Sequence, residues 1–274
     1  MKRRSDQDSI VKGTKDRENV LTAIISRLRS SAGLKQAQFR PGLLGFLTNP
    51  YYIARASLWR QIQAQGSHIR ARTLDVGCGC KPYRDLFQST EYIGLELENK
   101  RDVRNLAIEC FYDGRRFPFP DGSFDSVVCN QVIEHVKDPI FFLGEILRVL
   151  VPGGVLLITV PLMWGEHETP EDYWRFTTFG IRRLLANGGF TVQTVCTSGG
   201  GGGMLTQLAC AQVVNVVSSS GVIGLLWRAL ITLPFNILGT MAALLVLPKE
   251  NSGQSMYLDN VAVALKPFGE SAKP

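Results

Sequence analysis

Residues 74–87, "LDVGCGCKPYRDLF", carry the reading that decides the fold. An apolar run ends in an acid, Asp75, and passes directly into the turn Gly77-Cys78-Gly79. A strand that ends in a carboxylate and enters a Gly-x-Gly turn lets the main chain come close to a bound nucleotide, because a Cβ at either glycine would obstruct it. The dinucleotide fingerprint G-x-G-x-x-G needs a third glycine, yet the sixth position from Gly77 is Pro82, which removes the NAD or FAD reading. No Gly-Lys-Ser/Thr follows, so a phosphate-binding loop is excluded as well.

Outward from this turn, short apolar runs alternate with helical stretches from Arg72 onward, which predicts repeated βα units and a mostly parallel sheet. Strands are expected at "RTLDV", "YIGLEL", "LAIECF", "FDSVVCN", "GVLLITVP", "FTVQTVC" and "LDNVAVALKP". Between them, Asp138 is a good N-cap and Pro139 suits the first helical position. Phe142, Leu143, Ile146, Leu147 and Leu150 then recur at helical spacing until Pro152-Gly153-Gly154. A second helix, "TTFGIRRLLANGG", opens on threonine and closes on glycine. Ahead of the first strand, "VLTAIISRLRSS" and "YYIARASLWRQIQAQ" have apolar residues at helical spacing and predict a helical cap.

"LDVGCG" resembles the first motif of class I S-adenosylmethionine (SAM) dependent methyltransferases, and the resemblance continues in order along the chain. "YIGLELE" is similar to the family's second strand, whose terminal acid binds the ribose hydroxyls and matches Glu96. "FYDGRRFPFPDGSFDSVVCNQVIEHV" is similar to its adenine-contacting acid at Asp113, its Pro-Phe-Pro-Asp turn and its fourth strand. "LRVLVPGGVLLITVP" is similar to its next helix and fifth strand. The resemblance implies a Rossmann-like seven-stranded, mostly parallel α/β sheet with helices on both faces and an antiparallel last strand. It implies SAM as cofactor, with Asp75, Gly77, Cys78, Gly79, Glu96, Asp113, Gly114 and Asn130 around it. A carboxylate at a strand end can accept both ribose O–H bonds, and Asp113 can accept from the adenine amino group. Asp75 would orient the glycine turn and the methionine amino group; Cys78 and Cys80 are read as small filler rather than nucleophiles.

"NPYY" at 49–52 imitates the Asn-Pro-x-aromatic motif of amino-methyltransferases but precedes the first strand, whereas the family places that motif after the fourth. "CNQVIEHV" stands at that place, which disfavours methylation of a base or a glutamine amide.

Methyl transfer needs a positioned acceptor, and a base where the acceptor must lose a proton. The candidates are His135, after the fourth strand, and His167 in "GEHETPEDYWRFTTFG" after the fifth, both on loops at the carboxyl ends of strands. The dense mixture of charge and aromatics in "HETPEDYWRFT" points to substrate contact, with Glu168, Tyr173 and Arg175 shaping the acceptor pocket. This segment and "GCGCKPYRDLF" resemble a subgroup associated with bacterial surface polysaccharide and other envelope pathways. Some quinone O-methyltransferases carry an additional acid three residues before the Glu-His pair; Gln131 stands there in this chain.

Composition supplies the exclusions. Of 274 residues 45% are apolar and 20% charged, which suits a globular fold with a sizeable core. The six cysteines form no C-x-x-C pair and the histidines, His68, His135 and His167, lie far apart in sequence. Neither a metal nor a disulfide framework is expected, and the default compartment is the cytoplasm. The net charge of +6 is mostly the arm at residues 1–30, with eight Lys/Arg against four Asp/Glu, so nucleic acid is disfavoured as a partner. That arm has no apolar signal-peptide core.

Residues 184–248 are anomalous: 65 residues hold one charged side chain, Arg228, and five consecutive glycines, 199–203. Because "FTVQTVC" and "LDNVAVALKP" belong to one sheet, the ends of the insertion between them must emerge on the same side of any membrane, which excludes a single crossing. A helical hairpin dipping into lipid, a helix pair on the interface, and an apolar lid or dimer surface remain. Peripheral contact with the cytoplasmic membrane face through 203–248 is the leading reading. The expected organisation is a basic arm (1–30), a helical cap (31–70), a catalytic domain (71–198 and 256–267) and a hydrophobic insertion (199–255). The expected activity is methyl transfer, on oxygen, to a small-molecule or lipid-linked acceptor; the alternatives are a catalytically silent SAM-binding-fold partner and an RNA methyltransferase.

Overall fold

The computed structural model describes residues 38–98, 107–216, 230–241 and 256–269. The basic arm and the helix expected at "VLTAIISRLRSS" lie outside them. In chain order the elements are α1 (Leu43–Thr48), α2 (Tyr52–Gln65), β1 (Arg70–Val76), β2 (Gln88–Leu97), β3 (Cys110–Tyr112) and β4 (Phe124–Asn130). They continue with α3 (Pro139–Val149), β5 (Leu150–Pro161), α4 (Thr178–Asn187), β6 (Thr191–Ser198), α5 (Gly201–Val216), α6 (230–241) and β7 (Asp259–Leu265).

The strands form one seven-stranded sheet in the order β3-β2-β1-β4-β5-β7-β6. The first five pair in parallel, and β7 lies antiparallel to both β5 and β6. The order reverses between β1 and β4, and the crevice outside the carboxyl ends of strands at such a switch point is where open α/β sheets bind ligands.

Period-two alternation sorts the core into two layers. Val127 and Cys129 of β4 face one side, where Phe142, Leu143 and Ile146 of α3 and Ile181 and Leu185 of α4 cover them. Val128 faces the other, against Leu58 and Ile62 of α2 with Leu157, Val261 and Val263. Both covering helices carry their expected caps. Phe141 N donates to Asp138 Oδ1 at 3.0 Å ahead of Pro139, and Gly180 N donates to Thr177 Oγ1 at 3.0 Å.

Two boundaries differ from expectation. β3 covers only Cys110–Tyr112 rather than 106–111, because Ala107 N bonds to Gly79 O and Glu109 N to Gly94 O, outside a regular ladder. β5 begins at Leu150, before the glycines; Gly153 adopts φ +77° and the β4–β5 register shifts there, so the excursion is carried inside the strand.

The described part of the uncharged insertion docks on the cap. Gln207 of α5 is fully buried, accepts from Ala54 N at 3.0 Å and donates to Pro50 O at 2.8 Å. Asn236 of α6 donates to Phe46 O at 2.7 Å and Asn49 O at 2.9 Å. Leu205, Leu230, Leu238 and Met241 stay exposed on these two helices. Among the described residues no helix is long and apolar enough to cross a membrane.

Candidate active site

The Gly-Cys-Gly turn closes onto the end of β2. Gly77 N and Cys78 N both donate to Leu95 O, at 2.9 and 3.3 Å, and Gly79 N donates to Glu96 Oε2 at 3.2 Å. The two glycines answer different demands. At Gly77 (φ +68°) a Cβ would stand 2.4 Å from Val132 Cγ2, whereas at Gly79 (φ +51°) nothing lies within 4 Å, so the main chain there borders open space. Cys78 is buried with Sγ towards Ala107 O, and burial pushes its thiol up to about 12, which removes it as a nucleophile.

Three carboxylates stand at the ends of β1, β2 and β3. Asp75 is buried and accepts from Tyr92 Oη at 2.8 Å; burial pushes its carboxyl up to about 7, opposed by that hydrogen bond and by Lys81. Glu96 is buried beneath Gly79 and also accepts from Leu97 N at 3.2 Å. Asp113 is exposed and accepts from Arg115 N at 2.9 Å and Arg116 N at 3.3 Å, which hold its carboxyl below the usual range. Gly114 beside it has φ +84°. The chain beyond is pinned by Arg148 of α3, which bonds Phe119 O at 2.8 Å, Phe117 O at 3.1 Å and the carboxylates of Glu145 and Asp121. Asn130, the last residue of β4, accepts from Thr159 Oγ1 at 3.4 Å.

Beyond β4 and β5, the two loops are tied together. Tyr173 N and Trp174 N both donate to the main-chain oxygen of Glu134, at 2.8 and 3.2 Å, and Trp174 Nε1 donates to Val136 O at 2.9 Å. This brings the rings of His135 and His167 to 4.7 Å between centroids, at 82°. The separation of the histidines along the sequence had pointed away from such a meeting; the loop crossing supplies it. His135 Nδ1 lies 2.6 Å from Glu171 O, and His167 Nδ1 lies 3.2 Å from Gly165 O and 3.3 Å from Asp172 Oδ2. Asp172 also accepts from His167 N at 2.9 Å and takes both arms of Arg175 at 2.7 Å, which hold its carboxyl far below the usual range. Glu134 is fully buried with both carboxylate oxygens lacking a hydrogen-bond partner, and burial pushes it up to about 8. Glu168 (φ +52°) and Tyr173 are exposed at the loop surface.

A methyltransferase-domain family model matches residues 74–158. A probable S-adenosylmethionine-dependent methyltransferase of Mycolicibacterium smegmatis is 32% identical over 133 residues, covering 44% of this chain and 52% of that protein. A demethylmenaquinone methyltransferase of Beutenbergia cavernae is 32% identical over 123 residues, covering 41% and 48%. A solved S-adenosylmethionine dependent methyltransferase from Mesorhizobium loti is 14% identical, covers 78% of this chain and 99% of its own, and superposes with a TM-score of 0.46. Residues 74–158 carry a methyltransferase domain. The chain spans about half the length of the curated relatives it matches.

The methyltransferase domain gathers the residues anticipated from sequence along one edge of its sheet. Asp75, Gly77, Gly79, Glu96, Asp113 and Asn130 stand at or just beyond the carboxyl ends of β1 to β4, and His135 and His167 follow β4 and β5. The open space over Gly79, with carboxylates at neighbouring strand ends, suits a ligand bearing hydroxyls and positive charge. Arg175 is committed to Asp172 rather than free for a substrate. Sequence reasoning missed Tyr92 as the partner of Asp75, and missed Glu134 and Asp172. Glu134 lies in the quoted "EHV", but nothing in a linear pattern marks a glutamate for full burial.

Proposed function

We propose that this protein transfers the methyl group of SAM to an oxygen of a small or lipid-linked acceptor. The observation that carries the reading is the open main chain at Gly79 beside buried Glu96, on the same sheet edge as the His135–His167 pair. SAM supplies a methyl on a positively charged sulfur, so the protein's task is chiefly to place an acceptor about 3 Å from it and to hold the proton that leaves.

In this reading Glu96 accepts the ribose hydroxyls, Asp113 the adenine amino group, and Asp75 the ammonium of the methionine part. Gly77, Cys78, Gly79 and Gly114 contribute main chain and Asn130 the floor between β4 and β5. His167 takes the acceptor's proton at Nε2, because its Nδ1 faces only Gly165 O and Asp172 Oδ2, both acceptors of hydrogen bonds. Glu168 and Tyr173, on the loop surface, line the acceptor's approach, and Arg175 shapes the pocket by fixing Asp172. Quinone-type acceptors are favoured because one relative is named a demethylmenaquinone methyltransferase. The apolar faces of α5 and α6 would suit an amphiphilic acceptor or a membrane surface.

The test is calorimetric titration with SAM and with NAD, followed by incubation with methyl-labelled SAM and hydroquinone, lipid-linked sugar or RNA acceptors. The reading expects SAM binding at micromolar concentration, no response to NAD, and label on an oxygen of a non-nucleic-acid acceptor. SAM binding without transfer to any acceptor would leave a silent SAM-binding partner.

A further inference from the structure

Glu134, His135 and His167 turn three side chains of the metal-ligating kind towards one another. A ring nitrogen facing a carbonyl oxygen must be the protonated one, since the oxygen can only accept. His135 Nδ1, 2.6 Å from Glu171 O, therefore carries the proton and leaves the Nε2 lone pair, which lies 3.8 Å from Glu134 Oε1. By the same reasoning His167 Nδ1, between Gly165 O and Asp172 Oδ2, carries the proton and leaves Nε2 as the donor atom. One ligand atom from each of Glu134, His135 and His167 lies within 4.8 Å of the other two. Glu134 itself is fully buried with neither oxygen hydrogen-bonded. Burying an uncompensated carboxylate is strongly unfavourable, and a cation bound beside it would offset that cost in place of a proton.

We propose that Glu134, His135 and His167 bind a divalent transition metal ion of the zinc type. Two imidazoles and one carboxylate are a donor set of three-ligand sites that keep one position open, and imidazole favours zinc-like ions over magnesium, which prefers oxygen. With bonds of about 2.1 Å, tetrahedral donors stand about 3.4 Å apart. The Glu134–His135 pair, at 3.8 Å, is already near that spacing, and since all the ligand atoms lie within 4.8 Å of one another a side-chain displacement of at most about 1.4 Å would bring the others to it. The outer partners have the form such sites use: each ligating histidine gives its other N–H to a carbonyl or a carboxylate, Glu171 O for His135 and Gly165 O with Asp172 for His167. Gln131 bonds Thr159 Oγ1 at 3.2 Å and hydrogen-bonds Asp259, and so adds no ligand. The three residues lie on loops that follow β4 and β5, at the carboxyl edge of the sheet, where the cation would bind an acceptor oxygen and ease loss of its proton. That catalytic use rests on the methyl-transfer reading, and with the ion bound the ion, not His167 Nε2, is the group that eases proton loss; the binding of the ion does not rest on that reading.

The experiment is calorimetric titration of chelator-stripped full-length protein with zinc alone, in the absence of SAM and acceptor, with cobalt(II) substitution as a spectroscopic readout. One ion per chain is expected, with at least tenfold weaker binding in Glu134→Gln and His167→Ala and roughly 10–100-fold weaker binding in Asp172→Asn. The cobalt spectrum should lack thiolate charge-transfer bands, and SAM affinity measured on each variant shows that it is folded. Zinc binding that is substoichiometric, unchanged across the variants, or accompanied by thiolate bands overturns the site. Zinc binding without methyl transfer keeps the site and overturns the methyl-transfer reading, whereas methyl transfer without zinc binding overturns the site alone.

Discussion

A Cβ placed on Gly77 would lie 2.4 Å from Cγ2 of Val132, so the glycine turn after β1 and the segment after β4 are packed to the limit of contact. The glycine turn is thereby held by the segment that leaves β4, on the far side of the switch point, and shape as well as φ demands glycine there. Gly79, two residues on, has the same left-handed conformation but borders open space.

The two glycines should therefore fail differently. Gly77→Ala combines left-handed strain with a clash against a core-side valine and should cost about 2–4 kcal/mol, seen as a lowered Tm. Gly79→Ala carries only the strain, about 1–2 kcal/mol, yet should lose most SAM affinity because its methyl enters the ligand space. Equal destabilisation with equal SAM affinity in the two variants would contradict the assignment of the open space.

Glu96 holds the turn through Gly79 N and, in the proposed function, accepts the ribose hydroxyls. Glu96→Gln keeps the side chain's shape but removes the charge and half of its accepting capacity. Charged hydrogen bonds are worth about 1.5–3 kcal/mol, so the SAM Kd should rise roughly 10–100-fold with little change in Tm. An unaltered Kd in titration calorimetry would dismiss Glu96 as the ribose acceptor.

The places of most strands and both helix caps followed from local patterns: short apolar runs, Asp138 before Pro139, Thr177 before its helix. Those patterns are local because their physics is local. The meeting of His135 with His167 was illegible, since it depends on main-chain bonds from Tyr173 and Trp174 to Glu134 O that bridge two loops. Asp172 was equally hidden among the acids of "HETPEDYWRFT", because only three-dimensional packing sets it under His167 and between the arms of Arg175. The shortened β3 has the same origin, with tertiary bonds at Ala107 and Glu109 replacing a ladder the apolar pattern suggested.

Asp75 gives a pH signature. Its folded carboxyl titrates near 7 against an ordinary value of 3.8, for reasons of burial first. Between about pH 4 and pH 7 the folded chain keeps a proton the unfolded chain has lost, so this group's contribution to stability falls as pH rises through that window and is level above it. A cationic ligand favours the ionised form, so SAM binding below pH 7 should expel a proton and tighten as pH rises to about 8. Titrations in two buffers of different ionisation enthalpy should reveal that release, and Asp75→Asn should abolish it. Asp259, also near 7 but at the start of β7, remains as background in the variant.

The insertion's attachment to the cap can be tested at Asn236. Its amide satisfies Phe46 O and Asn49 O while buried, so Asn236→Ala leaves two carbonyls without that donor and should cost about 1–3 kcal/mol. The loss should appear as faster hydrogen exchange in α1 and α2 with protection of β1 and β4 unchanged. Uniform loss of protection would instead make the cap part of the sheet's cooperative unit.

Asp172 fixes which nitrogen of His167 is free, and this decides whether the site can act on a proton or a cation. The carboxylate accepts from Nδ1, leaving an Nε2 lone pair; in Asp172→Asn the amide can offer N–H to Nδ1, which turns the ring and makes Nε2 the N–H donor. The variant is nearly isosteric, although Arg175 loses the charge of its partner and one of its two acceptors there. Turnover should fall roughly 100-fold or more, the usual scale for losing a positioned base, while the Kd for SAM stays within about twofold because no SAM-facing group has changed. Asp172→Glu, which restores the acceptor, should recover part of the rate. A variant that loses SAM affinity together with turnover, or that glutamate does not rescue, would show Asp172 to be a brace for the loop through Arg175 and His167 N rather than the group that sets the imidazole's tautomer.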